Sequence, residues 1–280
     1  TSPLYGHRNV YFRDTGGTVL YTNKPWEGRP TADPETCLSP HDLWSAMEAT
    51  GVPFLTVPHH PTAIPHPLNL GVYNPTYDRL YEVYSSWGSS EYYGDFPRGV
   101  SDRWRRHDFR DAVSRGLRFG VIASSDGHDG HPGNAQGMQE KHHHIFHFCG
   151  SGRAAVLAPE LTRHDVFDAL HARRCYATTG PPILLDVRIG DATMGSEVRP
   201  FSGRRRPVLD VTCSGTNGLD HIRIMKNARV ADTIPCHGEH EAALQWEDPA
   251  YSKEEPASYY VRVVQVDRES AWSSPIWVGC

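Results

Sequence analysis

Three short apolar runs in this chain each break off into a cluster of ionisable or polar residues, and that pattern constrains the fold more than any bulk property. The clearest is 119–123, FGVIA, whose length and composition suit a buried strand. It breaks into Ser124, Ser125, Asp126, Gly127, His128, Asp129, Gly130 and His131, so two carboxylates and two imidazoles fall within six residues. In parallel α/β architectures the C-terminal ends of strands are where ligands and catalytic groups collect. Asp126 and His128 lie two apart, so in an extended tip both can face the same side and share a cation. A carboxylate oxygen with neutral imidazole is an ordinary set of ligands for Zn²⁺, Mn²⁺ or Fe²⁺. D-x-H is a weak pattern, and a polar Gly-rich turn without metal stays open as the other reading.

The other two runs repeat the arrangement. Run 53–57, PFLTV, leads straight into Pro58-His59-His60-Pro61, and run 79–84, RLYEVY, ends in Ser85-Ser86-Trp87-Gly88-Ser89-Ser90-Glu91. Histidine is the informative excess. Of 17, nine fall in the windows 59–66 and 128–147, and imidazole binds metals through a neutral nitrogen. The run 141–148, KHHHIFHF, is expected to be a solvated edge strand.

Local grammar places the helices. Ser39 is an N-cap with Pro40 at the first helical position and Asp42 completing a capping-box-like pair; Leu43, Trp44 and Met47 form the buried stripe, and Gly51 stops the helix. A second helix is expected at about 107–116, with Phe109, Ala112 and Val113 on one face, and a third from Thr162 to Arg174. Near the start, Asp14-Thr15-Gly16-Gly17 reads as the turn of a hairpin between strands within 5–21. The order helix, strand, loop, strand, helix, strand predicts βα units and a mostly parallel sheet or barrel. Past Thr179-Gly180-Pro181-Pro182 the period becomes two, in 183–189, 208–213, 221–225, 259–266 and 276–278, as in a small antiparallel β-sandwich. Two domains are therefore expected, 1–180 and 181–280, with the chemistry in the first, since only three histidines lie in the second.

The formal charge of −5 and the absence of a long basic run give no sign of a nucleic-acid partner, and no apolar window is long enough to span a membrane. Six scattered cysteines without C-x-x-C spacing argue against thiolate zinc clusters.

With these residues in view, the chain resembles the DUF3604 group of the PHP (polymerase and histidinol phosphatase) superfamily. The matching stretches are Gly6-His7-Arg8-Asn9-Val10-Tyr11-Phe12-Arg13, Val57-Pro58-His59-His60, Glu82-Val83-Tyr84-Ser85-Ser86 with Gly88-Ser89-Ser90-Glu91, and Ser124-Ser125-Asp126-Gly127-His128. Further matches fall at 158–163, 173–180 and 271–277. The resemblance implies a distorted PHP-type (β/α)7 barrel, lacking its N-terminal part here, with two or three divalent ions and hydrolysis of phosphate esters. It implies His59 or His60, Asp126 and His128 as metal ligands, with Glu82 at the end of its strand as a further candidate. Trp87 stands where many relatives carry histidine. The family's first H-x-H motif, a later Asp-His pair and a Glu precede the segment that opens this chain, so an N-terminal piece of the same protein is expected to complete the shell.

The expected chemistry is attack by a metal-bound hydroxide on a small-molecule phosphate ester, with His128 or His131 assisting proton transfer and Arg8 and Arg13 as candidates for clamping substrate oxygens. Hydrolysis of another ester or an amide, and a binding or structural role without catalysis, are the rival expectations. An oligomer is compatible with all three.

Overall fold

The computed structural model describes residues 5–22, 36–37, 39–62, 68–95, 107–127, 150–203 and 205–279. In the first half, β1 (His7–Phe12), β2 (Tyr21–Thr22) and β3 (Thr36–Cys37) precede α1 (Pro40–Glu48). Then come β4 (Phe54–His59), β5 (Leu80–Ser85), β6 (Gly88–Ser89), α2 (Phe109–Ser114) and β7 (Gly120–Ala123). Next are β8 (Arg153–Val156), α3 (Arg163–His171), β9 (Cys175–Thr178), β10 (Leu184–Ile189), β11 (Ala192–Thr193) and β12 (Glu197–Val198). The chain closes with β13 (Val208–Ser214), β14 (Leu219–Lys226), β15 (Arg229–Pro235), β16 (Glu241–Glu247), β17 (Ala257–Gln265), β18 (Ser270–Ser273) and β19 (Ile276–Val278).

The helices start where their caps dictate. Ser39 is in extended backbone, its hydroxyl accepts from the Asp42 N–H at 3.3 Å, and the Asp42 carboxylate accepts from the Ser39 N–H at 2.8 Å. Trp44 and Met47 are buried beneath this helix. Thr162 caps α3 in the same way, accepting from the Asp165 N–H at 3.1 Å.

The pairing of β1 differs from expectation. No hairpin forms across residues 14–17; β1 runs antiparallel to β4, which sets His7 opposite His59 and Phe12 opposite Phe54. A parallel bridge from Thr56 to Asp78 places β4 beside the start of β5. In turn β5 is flanked by β6, antiparallel, and by β7, parallel. Both faces of β5 and β7 are buried along their whole length, which suits their near-continuous apolar sequences.

The second half is built from two sheets. Strands β11, β10, β13 and β16 make an antiparallel sheet in that order. A larger sheet runs β12-β19-β17-β18-β9-β8, with β14 on β17 and β15 on β14. Leu185, Val187, Leu209 and Val211 from the first sheet share one buried core with Ile222, Ile224, Tyr259, Val261 and Val263 from the second.

The expected (β/α)7 barrel is not formed. Closing one needs a succession of parallel strands, each followed by a helix that covers it. The described residues hold three helices, of nine, six and nine residues, and no closed ring of strands. After β7 the chain enters the antiparallel ribbon β8–β9, and β9 pairs with β18, so this part of the chain continues into the larger sheet. No helix among the described residues is long and apolar enough to cross a membrane.

Candidate metal centre

The ends of β4, β5 and β7 meet, and the side chains they deliver lock together around His59. This residue is the last of β4, and its two ring nitrogens face two different carboxylates. Nδ1 lies 3.0 and 2.8 Å from the two oxygens of Glu82, from the middle of β5, and Nε2 lies 2.5 Å from Oδ1 of Asp126, three residues past β7. Burial opposes a charge on this ring, but Glu82 and the bond to Asp126 outweigh it and push the His59 pKa up to about 10. The same partnership, working against burial, draws Asp126 down to about 2.

Glu82 is almost wholly buried and is surrounded by donors. Besides His59, the His60 N–H donates to Oε1 at 2.9 Å and the Ser124 hydroxyl to Oε2 at 2.5 Å. Burial disfavours its charge, yet His59 and these hydrogen bonds hold its carboxyl below the usual range. A carboxylate behind an imidazole fixes the ring's orientation and tautomer, leaving the far nitrogen to meet a cation.

His60 completes the group. Its Nε2 is 2.9 Å from Nδ1 of His7, while its own Nδ1 is buried with no hydrogen-bond partner among the described residues. Burial, followed by the charge on His59, pushes its pKa down to about 4, so the ring is neutral with a lone pair to offer. One ligand atom from each of His59, His60 and Asp126 can be chosen so that all three lie within 4.8 Å of one another. His60 and Asp126 both occupy left-handed backbone, with φ of 34° and 55°. Such conformations are costly for residues with a side chain and persist where the surroundings enforce them, commonly at functional sites.

Two imidazoles and a carboxylate oxygen form a donor set for Zn²⁺, Mn²⁺ or Fe²⁺. The His60 nitrogen has the burial and neutrality of a ligand atom, and a cation can take the place of the proton shared between His59 and Asp126. The residues present therefore fit such an ion.

The other sequence candidates are placed differently. Arg8 donates to both oxygens of Asp78 at 3.1 and 3.2 Å and to the carbonyls of Tyr5 and Val72, tying β1 to the start of β5. Asp78 also accepts from the Thr56 hydroxyl, which in turn accepts from the Trp44 indole, so Arg8 belongs to a buried structural chain. Arg13 makes a two-point pair with Asp168 of α3 at 2.8 and 2.9 Å. His128, His131 and the run 141–148 lie outside the described residues.

Two neighbours were not among the candidate ligands, though Trp87 stands at the position where many relatives carry histidine. His7 is there because β1 pairs with β4, a register that the expected hairpin concealed. Trp87, from the β5–β6 turn, donates its indole N–H to Oδ2 of Asp126, and its ring lies 5.6 Å from that of His60.

Comparison with known proteins adds a family match to part of the chain and no activity. The family described as "Protein of unknown function (DUF3604)" matches residues 110–198. That segment includes β7 and Asp126. An uncharacterized protein of Chlamydia pneumoniae is 30% identical over 256 residues, covering 80% of this chain and 38% of its own length. Uncharacterized proteins of Chlamydia trachomatis and Chlamydia muridarum are 28% and 29% identical, with 82% and 74% of this chain covered. The matched stretch spans 39% and 35% of those two, so the chain covers less than two fifths of each of these relatives. No solved structure matches it.

Proposed function

We propose that this chain carries the metal centre of a PHP-type hydrolase, with phosphate esters as its substrate class. The observations that carry the reading are the convergence of one ligand atom each from His59, His60 and Asp126 within 4.8 Å of one another, and a buried His60 Nδ1 with no hydrogen-bond partner among the described residues. The stretches that resemble the PHP superfamily are the ones that supply these residues, which supports the choice of phosphate esters.

A divalent ion bound here supplies two things, a lowered pKa for water at its open position and neutralisation of charge on substrate oxygens. The chain's own residues prepare for it. Glu82 holds the His59 ring so that Nε2 faces Asp126, and acts as an orienting carboxylate rather than a ligand, because its oxygens already accept from His59, His60 and Ser124. Burial keeps His60 neutral and ready to bind at physiological pH. The enforced backbone at His60 and Asp126 keeps both side chains aimed inward without reorganisation when substrate arrives.

The test is elemental analysis of the purified protein, followed by hydrolysis of p-nitrophenyl phosphate and bis(p-nitrophenyl) phosphate with added Zn²⁺ or Mn²⁺. Bound metal and metal-dependent turnover, both lost in Asp126→Asn, are the expected result. Metal bound at this site with no phosphoester turnover would replace phosphoesterase with hydrolysis of another ester or amide, or with binding alone.

A further inference from the structure

We infer that Trp87 is a positioning residue that commits Asp126 to binding one divalent cation through a single oxygen; this rests on the cation site proposed above. The two carboxylate oxygens of Asp126 have separate partners: Oδ1 faces His59 at 2.5 Å, and Oδ2 accepts the Trp87 indole N–H. An indole nitrogen donates one hydrogen bond and offers no lone pair, so Trp87 cannot itself be a ligand. It occupies the second oxygen with a neutral donor. A carboxylate free to rotate can give a cation either one or two oxygens; the indole bond takes one lone pair of Oδ2 and holds the group turned so that Oδ1 is the oxygen presented.

The indole is held firmly enough for the task. Trp87 lies in the tight turn between β5 and β6, where Ser85 pairs with Gly88 and Tyr84 with Ser89. Gly88 takes φ of 88°, the left-handed conformation such a turn requires. The Trp87 backbone N–H donates to the Ser85 hydroxyl at 3.2 Å, and Ser90 N–H returns to the Val83 carbonyl at 2.7 Å. Immediately beyond, Glu91 is fully buried and held by Tyr260, Arg262 and Trp272. The turn that carries Trp87 is therefore anchored into the larger sheet of the second half.

The consequence is a choice of ion. Two imidazoles and one carboxylate oxygen give three protein ligands, the number at a catalytic zinc-type site with a position open for water. Ca²⁺ seeks six to eight oxygens, often with bidentate carboxylates, and the metal-ligating group among the described residues offers one carboxylate and two imidazoles. The geometry points to a single Zn²⁺-, Co²⁺- or Mn²⁺-class ion on these residues, with Ca²⁺ rejected.

The experiment is titration of the 280-residue chain with Co²⁺, followed by visible absorption, for the protein as it stands and for Trp87→Phe, Trp87→Tyr and Asp126→Asn. Band intensity falls as the coordination number of Co²⁺ rises, so it reports whether Asp126 binds through one oxygen or two. The expected result is one Co²⁺ per chain, with an excess of Ca²⁺ failing to displace it. Trp87→Phe, which keeps an aromatic ring but loses the N–H, is expected to bind Co²⁺ about tenfold to a hundredfold more weakly, with a weaker band. Its metal-free unfolding midpoint should stay near that of the parent. If Trp87→Phe does not fold, Trp87→Tyr decides, with reduced affinity and a weakened band expected. Parent-like affinity and band in the folded variant, with binding lost in Asp126→Asn, overturns the role of Trp87 and leaves the metal site standing. Parent-like binding in Asp126→Asn overturns both.

Discussion

β5 and β10 lie in the two halves of the chain and meet opposite demands with the same extended backbone. β5 is buried on both faces and still carries a carboxylate, Glu82, at its centre; β10 alternates, with Leu185, Val187 and Ile189 inward and Leu184, Asp186 and Arg188 more exposed. The first half tolerates buried charge because each group is matched: Glu82 with His59, Ser124 and the His60 N–H, and Asp78 with Arg8 and Thr56. The second half buries paired charges too, Asp248 with Lys226 and Arg262 with Asp95, but is built mainly on one apolar core shared by two sheets. Burying charge is costly unless it is paired and hydrogen-bonded, so the first-half cluster that sets two imidazoles among its buried carboxylates is where function is to be sought.

The sharpest way to break this comparison is at a residue that joins the halves. Arg262 on β17 donates to Glu91 and Asp95, each at 2.7 Å, with all three side chains buried. Arg262→Met takes the arginine partner from Asp95 and leaves Glu91 with Arg110 alone, and is expected to cost about 3–5 kcal/mol in urea unfolding. Loss of under 1 kcal/mol would show that the two halves are held together by other means.

Leu209→Ala, in the shared core, is expected to lose about 3 kcal/mol of stability while leaving Co²⁺ affinity unchanged. Glu82→Gln should do the reverse, weakening cation binding by about tenfold to a hundredfold, equivalent to about 1.4–2.7 kcal/mol. If either variant moved both quantities together, the division between a stabilising and a functional half would fail.

The smallest effect expected is on pH dependence. Burial works against ionisation of Asp248, but the Lys226 ammonium and the Tyr259 hydroxyl, each at 2.5 Å, hold its carboxyl below the ordinary value. A depressed carboxyl stabilises the fold above its unfolded pKa of about 4, and that contribution is lost as pH falls through the lower folded value. Unfolding midpoints measured downward from about pH 4 should therefore fall less steeply in Asp248→Asn than in the parent; an identical slope would remove Asp248 from the acid response.

What could be seen in the sequence was local. Ser39 with Asp42 and Thr162 with Asp165 announce α1 and α3, because a cap is a contact between residues three apart. The apolar runs that became β5 and β7 were legible for the same reason, and 276–278 matches β19 residue for residue. The histidine-rich tip at 59–60 and Asp126 could be named as candidate ligands from residue type alone. Pairing over distance could not be read. β1 finds β4 across more than forty residues, and the expected local hairpin hid both that partner and His7. β15 is exposed on both faces except at Ile234, so it has no apolar period to betray it. The (β/α)7 barrel was implied by the family resemblance and by the order of helices and strands; the antiparallel union of β9 with β18 leaves no trace in either strand's own residues.

Glu91 carries a consequence for anyone wishing to transplant the site. It accepts from Tyr260, Arg262 and Trp272, while the Val121 N–H beside the site donates to the hydroxyl of Ser274. A fragment cut after Gly127 would keep His59, His60 and Asp126 yet lose the scaffold that fixes the turn bearing Trp87. A minimal graft must therefore include β17 and β18, even though neither contributes a ligand.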